Sequence, residues 1–207
     1  MIKEKSIQSF LDALAGSAST PGGGSAAGVM GAMGAALTSM VANLTIGKEK
    51  YAAVEQDMRQ WLARSEQLRQ QLTDTIRADV EVFDKVMDAY GMARDDEQEK
   101  QARSEAIQAA LKEATDVPLD CAALCAEVIT LCQPVAEHGN VNVISDAGVA
   151  VLAAHAALRS AALNIYINIG AIKDQAFVDD RRKRLEAILA DSGKLTEDVY
   201  ELVRSRL

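Results

Sequence analysis

The stretch "STPGGGSAAGVMGAMGAALTSMVANLTIGK", residues 19–48, decides the fold: residues 13–47 carry no charge, in a chain where 25% of positions are Asp, Glu, Lys or Arg. A membrane span, a disordered linker and a buried helix all fit that fact. A span needs about 20 predominantly apolar residues, whereas this stretch is rich in Gly, Ser, Thr, Ala and Asn. Disorder fails because Met30, Met33, Leu37, Met40, Val41 and Leu44 recur at helical spacing. A helix buried on all sides of a bundle remains, with Gly24, Gly28, Gly31 and Gly34 letting neighbouring backbones approach. Each interior glycine costs roughly 1 kcal/mol relative to Ala, so close packing is required of them. Packing does not account for Pro21, Gly22, Gly23 and Gly24, which form a loop opening onto a helix N-terminus. There the free N–H groups and the helix dipole favour an anion. The loop is no P-loop, because no Gly-Lys-Ser/Thr follows it.

The surrounding composition agrees. The 207 residues suffice for one helical domain, residues 1–207, with a core that needs no disulfide or metal. Aromatics are only 4%, so Ala, Leu, Val, Ile and Met must build that core in closely packed helices. A net charge of −8 argues against nucleic acid or an anionic membrane as a partner. The N-terminal segment reads as an amphipathic helix, not a signal peptide, because Glu4 and Asp12 interrupt it. Cys121, Cys125 and Cys132 share one helical face; their odd number fits a reducing cytoplasm, and they read as small core residues and not as metal ligands.

An all-α bundle of about eight helices is expected, spanning residues 3–15, 25–46, 51–90, 96–115, 119–137, 146–171, 174–191 and 196–205. Breaks are expected at "TDVP" and "DSGKLT", and residues 137–148, "EHGNVNVISDAG", read as a polar loop placed to carry function.

On the helix from residue 51, Leu68, Leu72, Ile76, Val80, Phe83, Val86, Met87 and Tyr90 fall on one arc at 100° per residue. Among five nearby acids only Asp79 points into that arc, between Leu68 and Phe83. An acid aimed at a core needs a partner. A structural salt bridge, a hydrogen bond to a neighbouring helix and a catalytic carboxylate each satisfy that need. On the helix after Asp146, residues Asp146, Ser160, Asn164 and Asn168 form a stripe with Ala153 and Ala157, which suits contact with protein or ligand. His155 and Arg159, four apart, read as a hydrogen-bonding pair.

Three ordered segments carry a resemblance: "TPGGGSAAGVMGAMGAALTSMVANLTIGKEKY", "RADVEVFDKVMDAYGM" and "GNVNVISDAGVAVL". Together they resemble the cyclodeaminase/cyclohydrolase family, which includes the C-terminal domain of formiminotransferase-cyclodeaminase and stand-alone bacterial methenyltetrahydrofolate cyclohydrolases. The similarity runs the full length and is nearest to the stand-alone cyclohydrolases of methylotrophic one-carbon metabolism, which share "MVxNLTIGKxKY", "TDVPL" and "GNxNVISDAGVAVL" in this order. The resemblance implies an all-helical fold, a homodimer or assembly of dimers, and a tetrahydrofolate substrate with no further cofactor. It also implies that Asp79 in "ADVEVF" is the acid/base residue.

Such chemistry hydrolyses a cationic amidinium, 5,10-methenyltetrahydrofolate, to 10-formyltetrahydrofolate with a positioned water and one carboxylate as base and acid. Asn140, Asn142, Ser145 and Asp146 are candidates for the pterin; Pro21, Gly22, Gly23, Gly24 and Ser25, with Lys48 or Lys50, are candidates for the glutamate tail, and the reverse assignment stays open. Competing readings are a formiminotetrahydrofolate cyclodeaminase and a non-catalytic helical interaction module. A nicotinamide-dependent bifunctional enzyme is disfavoured by the lack of a strand-linked Gly-x-Gly-x-x-Gly.

Overall fold

A computed structural model describes residues 6–207. Within them the chain forms six α-helices: α1 (Ile7–Leu14), α2 (Gly23–Asn43), α3 (Glu55–Gly91), α4 (Glu97–His138), α5 (Ile144–Ile169) and α6 (Gln175–Arg204). Two short 3-10 turns, Glu49–Val54 and Val141–Val143, complete the order. The first residues of the expected helix 3–15 lie outside the described residues.

The uncharged stretch is the central helix. α2 packs against α3, α4 and α5, and α6 covers the outer side of α4 and α5. Its glycines mark the closest approaches. A Cβ at Gly28 would lie 2.9 Å from Ile76 and Thr75, one at Gly31 would lie 2.8 Å from the Cys125 sulfur, and one at Gly34 would meet the Ala150 carbonyl at 2.9 Å. Each of the three neighbouring helices therefore has a glycine opposite it, and the cost in helix propensity is offset by dense packing. Buried hydroxyls complete these contacts, with Ser39 and Ser65 hydrogen-bonded at 2.7 Å and Thr38 bonded to the Gly34 carbonyl. By length and composition alone α2, α4 and α5 could each cross a membrane, but about half of each apolar window is covered inside the bundle.

Six helices replace the expected eight because two predicted breaks do not occur. α4 runs through Pro118 and Pro134. A proline inside a helix leaves the carbonyl four residues earlier without its N–H partner, and for Pro118 that carbonyl belongs to Ala114. The Asn168 side-chain amide donates to the Ala114 carbonyl at 2.7 Å, replacing the lost bond from the neighbouring α5. Asn168→Ala leaves this buried acceptor unpaired, so a loss of about 1–3 kcal/mol in stability is expected, read as a lower denaturation midpoint; an unchanged midpoint would show that solvent reaches the carbonyl instead. At "DSGKLT" the helix α6 continues through Gly193, with the Ser192 and Thr196 hydroxyls bonded back to the carbonyls of Ile188 and Ser192.

The expected loop at 137–148 is also shorter than its composition suggests. α4 ends at His138 and α5 begins at Ile144, so most of "VISDAG" is helical. Residues 51–54 are a 3-10 turn, not the start of α3. Between them, Gly47 with φ +76° turns the chain after α2.

The arc on α3 is only partly core. Leu68, Leu72 and Ile76 are buried, whereas Met87 and Tyr90 are 50% and 45% exposed. α2 begins beside Asp79, so the last turns of α3 extend beyond it; there Ala89 stays buried, and Lys85–Glu113 and Arg103 to the Tyr90 carbonyl tie the segment to α4.

Candidate active site

Asp79 lies at the N-terminus of α2. Gly22 is the N-cap residue and offers no side chain to cap the helix. The Asp79 carboxylate takes that place from α3: its Oδ2 accepts the Ser25 hydroxyl at 2.8 Å, and the Ser25 backbone N–H also donates to it. The anion favoured by the glycine loop is thus supplied by the chain itself. This arrangement needs the missing side chain at position 24, where a Cβ would lie 1.9 Å from Oδ1 of Asp79.

Asp79 has no cation beside it among the described residues; its partners are a hydroxyl and a helix N-terminus. Of the two structural partners expected for Asp79, the salt bridge is absent among the described residues and the hydrogen bond to a neighbouring helix is present. Burial holds the carboxyl above its ordinary range, while the Ser25 hydroxyl and N–H pull it partway back. A carboxylate so placed can take a proton and return it.

Beside the carboxylate is a cavity of about 10 Å³, walled by Gly24, Ala27, Thr75, Cys121 and Ala161 as well as Asp79. A wider groove of about 470 Å³ runs between α3 and α4 and shares Thr75 and Val117 with the small cavity. Its volume is in the range of small-molecule sites. Asp74, Arg77 and Asp120 line it, and Asp120 is raised above its ordinary range by burial and the nearby Asp116.

The candidate residues divide into two groups. Pro21, Gly22, Gly23, Gly24 and Ser25 gather with Asp79. Pro21 is buried behind a cis peptide bond, and Gly23 faces the Asn164 amide. Lys48, Lys50, Asn140, Asn142, Ser145 and Asp146 lie at the opposite end of α2, about 30 Å away at 1.5 Å per residue. Lys48 and Lys50 therefore do not join the glycine turn within one chain. Asn140 is buried and fully engaged: its amide donates to the Leu44 carbonyl, its oxygen accepts the Asn142 N–H, and its backbone N–H bonds Thr45. It ties the end of α2 to the start of α5. Asn142 and Ser145 are exposed, and Asp146 occupies the first turn of α5, where a negative charge complements the helix dipole.

Thr75, Cys121 and Asn164 are near Asp79 although the candidate set lacked them. Thr75 was within reach of the sequence, since it precedes Asp79 by four residues and shares its helical face. Of the Ser160/Asn164/Asn168 stripe, Asn168 contacts another helix at the Ala114 carbonyl, whereas the Asn164 amide bonds to Ser160 within α5. Among the described residues, neither His155 nor Arg159 makes the expected interhelical hydrogen bond; burial and the Arg159 charge hold the imidazole below its ordinary value. All three cysteines are buried and free in α4, and burial pushes the Cys132 thiol up to about 12.

Residues 6–187 match the model of the family described as formiminotransferase-cyclodeaminase. The chain is 58% identical, over its whole length and that of its relative, to a methenyltetrahydrofolate cyclohydrolase of Methylorubrum extorquens. It is 29% identical over 91% of its length to the formimidoyltransferase-cyclodeaminase of Rattus norvegicus, of which it spans 35%. A crystal structure of a formiminotetrahydrofolate cyclodeaminase from Thermotoga maritima superposes with a TM-score of 0.84 at 34% identity, covering 100% of this chain and 98% of that one. Family match, full-length relative and superposition agree, and the chain belongs to the formiminotransferase-cyclodeaminase family.

Proposed function

We infer that the protein is a methenyltetrahydrofolate cyclohydrolase, which hydrolyses 5,10-methenyltetrahydrofolate to 10-formyltetrahydrofolate. The observation that carries this is Asp79, a partly buried carboxylate held by Ser25 and the start of α2 at the edge of a groove of substrate size. The 58% identity to a cyclohydrolase of equal length supports it.

The methenyl carbon joins N5 and N10 as an amidinium and is electrophilic before it binds. Ionised Asp79 stabilises that cation and accepts a proton from water as its oxygen attacks the carbon. The C–N5 bond then breaks, Asp79 returns the proton to N5, and the remaining hydroxyl proton leaves to solvent as the formyl C=O forms. One carboxylate serves as base and acid. Ser25 and the α2 N-terminus hold it in place and restrain its rise in pKa. The groove between α3 and α4 is assigned to the pterin and its extension, and no cofactor beyond the folate is required.

We also propose that the chain pairs with a second copy of itself. Val149, Leu152, Leu163 and Tyr166 lie exposed on one face of α5, with Arg159 among them, an apolar surface interrupted by one charge that suits a partner helix. Sedimentation at the mass of a single chain would rule this out.

A cyclodeaminase is the second reading, favoured by the likeness to the formiminotetrahydrofolate cyclodeaminase of Thermotoga maritima. It would release ammonia from formiminotetrahydrofolate and consume no water. The direct test of hydrolysis follows loss of the methenyl chromophore on adding purified protein after exhaustive chelation. Rapid, saturable loss is expected; a requirement for added zinc would overturn the metal-free mechanism.

A further inference from the structure

Hydrolysis needs a water in a fixed place, and the carboxylate alone does not fix one. The cavity beside Asp79 has a volume of about 10 Å³, close to the space that one water centre occupies. Its walls are mostly apolar, formed by Ala27, Ala161 and the Gly24 backbone, and it meets polar atoms at Asp79, Thr75 and the buried Cys121 thiol. Thr75 precedes Asp79 by one turn of α3, so its hydroxyl and the carboxylate point to the same side.

The direction of the Thr75 hydrogen is set by the backbone. Thr75 Oγ1 donates to the Leu72 carbonyl at 2.7 Å and also meets the Cys121 thiol, which leaves one of its two lone pairs to face the cavity. Ionised Asp79 likewise only accepts. A water between two acceptors must donate one hydrogen to each. Its own lone pairs then point away from both acceptors, and the groove adjoins the cavity at Thr75 and Val117. That is the orientation an attacking water needs.

Resting on the hydrolytic reading, we propose that Thr75 is a positioning residue that holds the attacking water against Asp79. Its hydroxyl takes one water hydrogen while Asp79 removes the other, so a single orientation is presented to the methenyl carbon. Gly28 permits this placement, because a Cβ there would lie 2.9 Å from the Thr75 oxygen.

Thr75→Val keeps the side-chain shape and removes the acceptor; Thr75→Ser keeps the acceptor. In the chromophore assay Thr75→Val is expected to lose about tenfold or more in kcat, the scale of one lost hydrogen bond in a transition state. KM, melting temperature and affinity for 5-formyltetrahydrofolate, a stable reduced folate, should stay near wild type, and Thr75→Ser should recover most of the rate. Wild-type kcat in Thr75→Val would overturn the proposal. So would equal losses of kcat and folate affinity in both variants, which would make Thr75 a wall of the groove. A wild-type protein without hydrolytic activity would remove the hydrolytic reading itself, and this inference with it.

Discussion

Asp79→Asn is expected to lower turnover of saturating methenyltetrahydrofolate by roughly a hundredfold or more, the scale of positioned acid/base catalysis, in a protein no less stable than wild type at neutral pH. Asn preserves the shape and can still accept from Ser25, but it removes no proton from water. The stability half of the expectation follows from the raised pKa. Below the ordinary carboxylate range both folded and unfolded chains hold the proton. As pH rises, the unfolded chain releases it first, and native stability falls until the folded Asp79 ionises as well. At neutral pH the ionised, partly buried group therefore lowers stability, and an uncharged amide relieves that deficit. A buried ion pair would behave in the opposite way, since Asn would strand a cation and cost several kcal/mol. Melting temperature at pH 7, read beside kcat, separates the two cases. A destabilised variant with full turnover would contradict both the geometry and the mechanism.

Gly24→Ala should be nearly as damaging to turnover, for a steric reason. The added Cβ would sit 1.9 Å from Oδ1 and 2.5 Å from Cγ of Asp79, closer than atoms can approach, so the carboxylate must leave Ser25 and the end of α2. Backbone conformation presents no obstacle, because Gly24 does not have a positive φ. Turnover is expected to fall about a hundredfold, as if the base were absent, with a far smaller change in melting temperature. The neighbouring Gly23→Ala is the control. Its Cβ would meet only the Asn164 amide at 3.9 Å and beyond, so activity should stay within a few-fold of wild type. Equal effects at the two positions would mean that the turn binds substrate directly and does not seat Asp79.

Local pattern exposed the two halves of this site but not their union. Asp79 stood out because helical periodicity places an acid on the face of α3 shared by Leu68, Leu72 and Phe83. The glycine loop stood out because a helix N-terminus attracts an anion. That each was the other's partner is a contact across 54 positions, which neither periodicity nor spacing encodes. Pro118 misled for the same reason. Its effect on α4 depends on Asn168, 50 residues later, which supplies the donor that Ala114 lacks. Asn140 and Asn142 lie in a polar segment and read as ligand contacts, yet Asn140 is consumed by backbone groups where α2 meets α5. Met87 and Tyr90 follow the apolar arc faithfully, but α3 outruns the helix it packs on. Helical class and the buried glycine helix were legible because they follow from short-range composition; helix count and site membership depend on distant side chains.

The central claim is tested most directly by supplying the chelated, purified protein in parallel with methenyltetrahydrofolate and with formiminotetrahydrofolate, following the methenyl chromophore and free ammonia in both. A cyclohydrolase using Asp79 to activate water predicts rapid, saturable loss of the chromophore from the first substrate, abolished in Asp79→Asn, and little or no ammonia from the second. Ammonia release with growth of the chromophore from formiminotetrahydrofolate, while methenyltetrahydrofolate persists, would contradict it.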